Sequence, residues 1–239
     1  MEMEKSELDN NTLRKIITQL LNDIEITDSI KKFITKKNTI NNFMFVNDYN
    51  IDKTIDHLKK SIIWRNDNIS DMLDNGRNCK YCKDNTIKHN IGVIHKLEND
   101  QYIIYCNIET NGTMEHLFYH VYCLIEYILN NTPCDQYILI FDCKNITLDY
   151  ILSLPKMANF IKILKENFPE RLKNLLLINT TGVVSSIYDT LKGYLNQRIQ
   201  DKIIFINELE EILEYCPQSV LNMLNGIDYE NINLQTIEI

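Results

Sequence analysis

Glycine and proline are scarce in this chain, with six and four residues. No G-x-G-x-x-G or G-x-x-x-x-G-K-[ST] occurs, which excludes the glycine-rich loops that cradle phosphates in dinucleotide and P-loop folds. No G-x-S-x-G elbow occurs either, which removes the usual nucleophile of α/β-hydrolases. Basic charge is not in excess: the formal net charge is −8. That balance excludes a non-specific nucleic-acid footprint and strong whole-chain attraction to anionic membranes, although a local basic face remains compatible with either charge pattern. Positions 1–11 are polar and carry no signal-peptide pattern, and no run of about 18 apolar residues exists to span a bilayer. The longest uncharged run, Asn174 to Tyr188, is interrupted by Asn179, Thr180, Thr181, Gly182 and two serines. These absences lead us to expect a soluble cytoplasmic protein, in which triplets such as Asn145-Ile146-Thr147 have no glycosylation meaning.

What is present suits a packed domain. The 239 residues are 44% hydrophobic and 24% charged, enough for a sizeable core with apolar residues to spare for lining a cavity. Seven cysteines are an odd number, and Cys106, Cys123, Cys134 and Cys143 lie in apolar surroundings. They read as buried thiols of a reducing compartment.

The first third has helical periodicity. Asn11-Thr12 is a cap for an apolar pattern at Leu13, Ile16, Ile17, Leu20, Leu21 and Ile24. Further helices are expected from Thr27-Asp28 to Lys37, from Thr39 to Val46, and from Asp52 to Asp67 with Ile55, Leu58, Ile62 and Ile63 on one face. The polar stretch Asp74 to His89 marks a boundary. Beyond it, strands at Tyr102–Ile108, Tyr137–Phe141, Leu175–Ile178 and Lys202–Ile206 alternate with helices at Met114–Leu129, Leu148–Asn167 (split or kinked by Pro155), Val184–Leu195, Glu208–Tyr215 and Pro217–Leu224. Continuous apolar strands between helices predict a largely parallel sheet covered by helices.

Few residues carry chemistry on their face. Cys79-Lys80-Tyr81-Cys82, with His89 and His95 nearby, has the C-x-x-C spacing of half a zinc site. No second C-x-x-C completes it, which favours two unrelated cysteines and no metal. Asp142 ends an apolar strand, where α/β sites gather, but a lone carboxylate there is more often a cap. His116 and His120, four apart, share one helical face, and no carboxylate on a matching element is evident in the pattern, so they read as surface or half-buried groups. The charged turn Glu170-Arg171, between a helix and a strand, is the best candidate. If the strands after it and after Lys202 are neighbours, Glu170 and Lys202 approach each other, either as an ion pair that fixes the turn or as a site.

Several segments resemble the CRAL-TRIO (Sec14-like) lipid-binding family. FMFVNDYNIDKTIDHLKKSIIWRND, 43–67, is similar to its helical N-terminal signature ending in Trp-Arg. YILIFDCKNITL, 137–148, resembles its strand followed by Asp-x-Lys-Gly, with Asn145 in place of the glycine. FPERLKNLLLINTTGVVSSIYDTLKGYL, 168–195, resembles the aromatic-Pro-Glu-Arg motif, second strand and following helix; DKIIFI, 201–206, resembles the Lys-Ile strand; and Pro217 to Gly226 resembles the closing segment. The signature's R-F-L-R-A-R is here Asn42-Phe43-Met44-Phe45-Val46-Asn47, without an arginine, and Asn-Ala-Pro after the second strand is Asn179-Thr180-Thr181.

The resemblance implies an α/β fold with a helical N-terminal lobe over 1–75 and a CRAL-TRIO domain over 76–239. A mostly parallel sheet would floor an apolar pocket gated by a helix. It implies a non-enzymatic lipid-binding or lipid-transfer protein, monomeric and without cofactor, metal or nucleic acid, that visits membranes transiently and carries a phospholipid, with a phosphoinositide as the leading ligand. Glu170 and Lys202 would face the head group. Tyr137 and Leu139 fall where other members recognise choline, and Val184, Ile187, Leu191 and Leu195 would line or gate the cavity, with Gly182 and Gly193 as hinges. The alternative is a scaffold or regulator that binds without transfer. A third option is an enzyme using Asp142 or a thiol.

Overall fold

The computed structural model describes residues 9–24, 27–36, 38–68, 90–107 and 114–227. The expected boundary and the pair Cys79 and Cys82, with His89, lie outside the described residues. Four helices come first: α1 (Asn10–Asp23), α2 (Asp28–Thr35), α3 (Thr39–Val46) and α4 (Ile51–Asn68). Then follow β1 (Asn90–Lys96), β2 (Tyr102–Asn107), α5 (Met114–Asn131), β3 (Tyr137–Asp142), α6 (Leu154–Asn167), β4 (Leu172–Ile178), α7 (Gly182–Leu191), the four-residue α8 (Gln197–Gln200), β5 (Ile203–Phe205) and α9 (Gln218–Asn225). Short 3-10 turns occupy Leu148–Ser153, Lys192–Tyr194 and Leu209–Glu214.

The strands lie in the order β1-β2-β3-β4-β5, antiparallel between β1 and β2 and parallel elsewhere. Both faces are buried, which explains why the strands read as continuous apolar runs. Tyr102, Ile104, Tyr137, Leu139, Leu175 and Leu177 point to one face, covered by α5, α6 and α7. Ile103, Tyr105, Ile138, Ile140, Leu176 and Ile178 alternate to the other, covered by the 209–214 turn and α9 through Ile212, Val220, Leu221 and Leu224. The family-like architecture expected from the sequence, a mostly parallel sheet among helices, is the one observed.

Several local details differ from expectation. β1 was not anticipated; Asn90, Gly92 and His95 obscure its strand character, and pairing to the wholly buried β2 supplies what its own composition does not. The cap of α1 is Asp9, whose carboxylate accepts from the backbone N–H of Asn11 and Thr12, so the helix begins before the expected Asn11-Thr12. Leu21 and Ile63 turn outward, each 51% exposed. Pro155 sits in the first turn of α6 and separates it from the 3-10 turn before it, as a residue with no backbone donor should. β4 starts at Leu172, earlier than its apolar stretch suggested, and β5 is only three residues long.

The four N-terminal helices share a core built from Ile16, Leu20, Phe33, Phe43, Leu58 and Ile62 among others. Polar side chains fasten this helical layer to the sheet layer. The Arg65 guanidinium, 1% exposed, donates to Glu126 Oε1 at 3.1 Å and to the Asn167 carbonyl at 2.8 Å, and its charge lies 3.7 Å from the Phe33 ring centre. Lys36 reaches the C-terminal end of α5, donating to the carbonyls of Leu129 and of Thr132, the latter at 2.9 Å. Burial, reinforced by nearby Arg171, pulls the Lys36 ammonium down to about 8. Buried Arg171 itself donates to the Asp135 carboxylate and, at 2.8 Å, to Thr39 Oγ1 of α3.

Candidate functional site

Glu170 and Lys202 occupy equivalent places. Glu170 lies two residues before β4 and Lys202 directly before β5, and β4 pairs with β5 in parallel. Parallel pairing therefore brings both to the same end of the sheet. Lys202 Nζ donates to Glu170 Oε2 at 3.0 Å. The turn is tight: Glu170 has φ 59, a left-handed conformation that costs a side-chain-bearing residue roughly 1–2 kcal/mol. Its carbonyl is held by Gln136 Nε2 at 3.1 Å, and Arg171 anchors the next position in the core.

A second cation, unanticipated in the sequence, completes the cluster. Arg198 on α8 donates from Nη1 to Glu170 Oε1 at 3.3 Å, and its guanidinium carbon stands 4.3 Å from the ring centre of Phe45 on α3. Burial pushes the Glu170 carboxyl upward, but the attraction and hydrogen bonds of Lys202 and Arg198 outweigh it and hold the group below the usual carboxylate range. No periodic or motif signal marked Arg198; it lies in the polar segment NQRIQD, and only the return of the chain from α7 to β5 carries it to Glu170.

The residues expected to line or gate a pocket gather on one face. Tyr137 and Leu139 project from β3, 2% and 6% exposed. Val184, Ile187 and Leu191 form the inner side of α7 and close onto the same apolar cluster, 5%, 7% and 8% exposed. Tyr188 adds an edge-to-face contact with Phe205 of β5, ring centres 5.2 Å apart. Leu195 is buried just past α7, where Gln200 Nε2 caps its carbonyl at 3.0 Å. The outer side of α7, including Ser185, Ser186 and Asp189, is exposed. Gly182 and Gly193 have ordinary backbone angles, and a Cβ at either would meet nothing within 4 Å, so the closed fold does not itself require glycine there.

The other candidates lie away from this cluster. Asp142 is fully buried, and its carboxylate accepts from Tyr105 Oη at 2.7 Å, Asn179 Nδ2 at 2.9 Å and the Lys144 backbone N–H at 3.0 Å. That is the geometry of a cap that ties β2, β3 and the end of β4 together. His120 is buried on α5 and His116 half-buried. Among the described residues no group of three or more His, Cys, Asp or Glu could hold a metal ion. Burial pushes the thiols of Cys134, Cys143 and Cys216 up, to about 11, 12 and 12. Among the described residues no helix is long and apolar enough to cross a membrane. A surface pocket of about 390 Å³ lies between α4 and the end of α6, bordered by Asn47, Lys53, His57, Lys60, Trp64 and Glu166; it includes none of the expected head-group or gate residues.

The fold and the order of these motifs define a class: an α/β module whose sheet carries an apolar face beneath a short helix, with a helical layer fastened alongside. The chain belongs to the CRAL/TRIO domain family, whose model matches residues 88–226. It is also similar in fold to the crystal structure of Sfh5, with a TM-score of 0.58 at 14% identity over 98% of this chain and 93% of that one. Membership makes this a protein of a lipid-binding family.

Proposed function

We propose that the chain holds a phospholipid, with phosphatidylinositol as the favoured species, between the apolar face of the sheet and α7, and carries it between membranes. The observation that bears most weight is the Glu170–Lys202 pair, half-buried at one end of that face and next to the segment that follows α7. In this reading the Lys202 ammonium meets the head-group phosphate and the Glu170 carboxylate accepts from inositol hydroxyls. Charged donors and acceptors of this kind give stronger hydrogen bonds than neutral ones.

Lipid uptake requires α7 to leave the sheet. Uncovering Val184, Ile187 and Leu191 costs roughly 5–9 kcal/mol at 1.5–3 kcal/mol per side chain, and each lipid CH₂ buried returns about 0.8 kcal/mol, so roughly six to eleven methylenes balance the opening. One acyl chain suffices. Membrane contact has a candidate surface in the 148–153 turn, where Leu148, Ile151 and Leu152 are 66%, 40% and 84% exposed between exposed Lys144 and Lys156. We further propose that the chain is a cytoplasmic monomer and binds without turning its ligand over; the hydrogen bonds that engage both Asp142 oxygens support the absence of turnover.

Native mass spectrometry of the purified protein, followed by transfer of labelled phosphatidylinositol between vesicles, tests the proposal. Co-purified phospholipid and transfer above a protein-free control are expected; a chain reproducibly empty and inactive in transfer overturns it. A second reading, binding without transfer by a scaffold or regulator, is favoured by the fact that Glu170 is already satisfied by two cations with α7 closed. Occupancy without transfer selects it. Turnover of the bound lipid that is lost in Asp142→Asn but kept in Glu170→Ala would instead support an enzyme.

A further inference from the structure

The chain lacks arginine at each position where the resembling signature carries one, namely Asn42, Phe45 and Asn47. One of those positions, Phe45, lies directly beneath the guanidinium of Arg198, 4.3 Å from ring centre to guanidinium carbon. Phe45 is itself buried, 6% exposed, so its ring is a fixed seat. The cation present at this spot is thus supplied from α8, on the opposite layer of the molecule.

The charges do not cancel. Glu170 is 13% exposed and needs one counter-charge, which Lys202, 20% exposed, already provides at 3.0 Å. Arg198 adds a second, leaving the cluster with a surplus of one positive charge in a protein whose net charge is −8. The Arg198 side chain is 45% exposed. Of its five N–H donors, a single one engages Glu170, at 3.3 Å. A planar guanidinium resting on an aromatic ring keeps its in-plane donors available for an oxyanion and loses little rotamer freedom when one arrives.

Building on the proposed head-group role of Glu170 and Lys202, we infer that Arg198, seated on Phe45, is an additional ligand-binding residue of that site and contacts the phosphate of an inositol-bearing anion. The chemistry recognised is a phosphate ester beside a polyol. A lipid head group and a soluble inositol phosphate share it.

The test uses the full chain and two probes: phosphatidylinositol in phosphatidylcholine vesicles, and soluble inositol 1-phosphate. Arg198→Ala is expected to weaken phosphatidylinositol binding about tenfold or more and to flatten the salt dependence of inositol-lipid binding. Adding Phe45→Arg to that variant is expected to restore most of the affinity, because it returns a guanidinium from the other layer. Arg198→Gln, which keeps a polar side chain, serves where the alanine variant does not fold. Arg198 variants that bind as wild type while Lys202→Ala does not would overturn the inference and leave the site standing. A wild-type chain that binds phosphatidylcholine but neither inositol probe would overturn the head-group reading itself, and this inference with it. Equal, Arg198-dependent affinity for both probes supports the Arg198 contact and names the soluble anion as its source.

Discussion

Arg65 Nε donates to Glu126 Oε1 at 3.1 Å across the junction of α4 and α5, with the two side chains 1% and 2% exposed. Glu126 Oε1 also accepts from Asn130 at 2.9 Å, whereas its Oε2 is buried without a hydrogen-bond partner among the described residues. A charge pair so deeply placed is costly to half-remove. Arg65→Met is expected to destabilise the chain by about 3–5 kcal/mol by leaving a bare buried carboxylate, and Arg65→Met with Glu126→Leu to recover much of that loss. Urea unfolding of the two variants checks it. A double variant as unstable as the single one contradicts the account.

Acid is expected to loosen the Glu170 cluster. The Glu170 carboxyl is held below its ordinary value of 4.5 in the folded chain. Its contribution to stability is therefore complete above pH 4.5 and is lost as pH falls through the lowered folded value. The stability difference between wild type and Glu170→Gln, roughly 1 kcal/mol or less for a pair that is only half-buried, should be present at pH 6 and shrink below pH 4.5. A difference independent of pH between 6 and 3 rules out this role for the charge.

If α7 gates the cavity as proposed, one aromatic contact helps to hold it shut, Tyr188 against Phe205 at 5.2 Å and 76° between planes. Such pairs contribute about 0.5–1.5 kcal/mol beyond area burial. Tyr188→Leu keeps apolar bulk and removes the pairing, so exchange of bound lipid should speed up by roughly twofold to tenfold with little change in the amount bound at equilibrium. Stopped-flow transfer of a fluorescent phospholipid reads the rate. Unchanged exchange would mean that α7 opening is not limiting.

The turn at 148–153 exposes more aliphatic surface than its own fold needs. Leu152 at 84% and Leu148 at 66% are expected to enter the head-group region of a bilayer. Replacing both with serine should reduce vesicle co-sedimentation by about tenfold or more, leave co-purified lipid unchanged, and shift stability by less than about 0.5 kcal/mol, as for ordinary surface positions. Vesicle binding equal to wild type would place the membrane contact elsewhere.

The elements were largely legible in the sequence because they depend on local pattern. Runs such as Tyr137–Phe141 and Leu175–Ile178 declared strands buried on two faces, and Phe-Pro-Glu-Arg marked the turn that begins β4. β1 is hidden in the sequence, since Asn90, Gly92 and His95 blur its composition and a register irregularity between Val93 and His95 breaks its alternation. Arg65 carries a usable signal in the sequence. It continues the inward stripe Leu58, Ser61, Ile62 of α4, and a charge on an apolar stripe calls for a buried partner. Arg198 carried none.

The sequence by itself determined the order and kind of the elements, the apolar faces of sheet and α7, and the pairing of Glu170 with Lys202 as a conditional, true only if β4 and β5 are neighbours. The tertiary structure met that condition and decided which other charges join them. Arg198 reaches Glu170 across 28 positions and Arg65 reaches Glu126 across 61. Periodicity reports on residues a few places apart; contacts over such separations depend on strand order and on how the helical layer docks, which are set by the burial of the whole core.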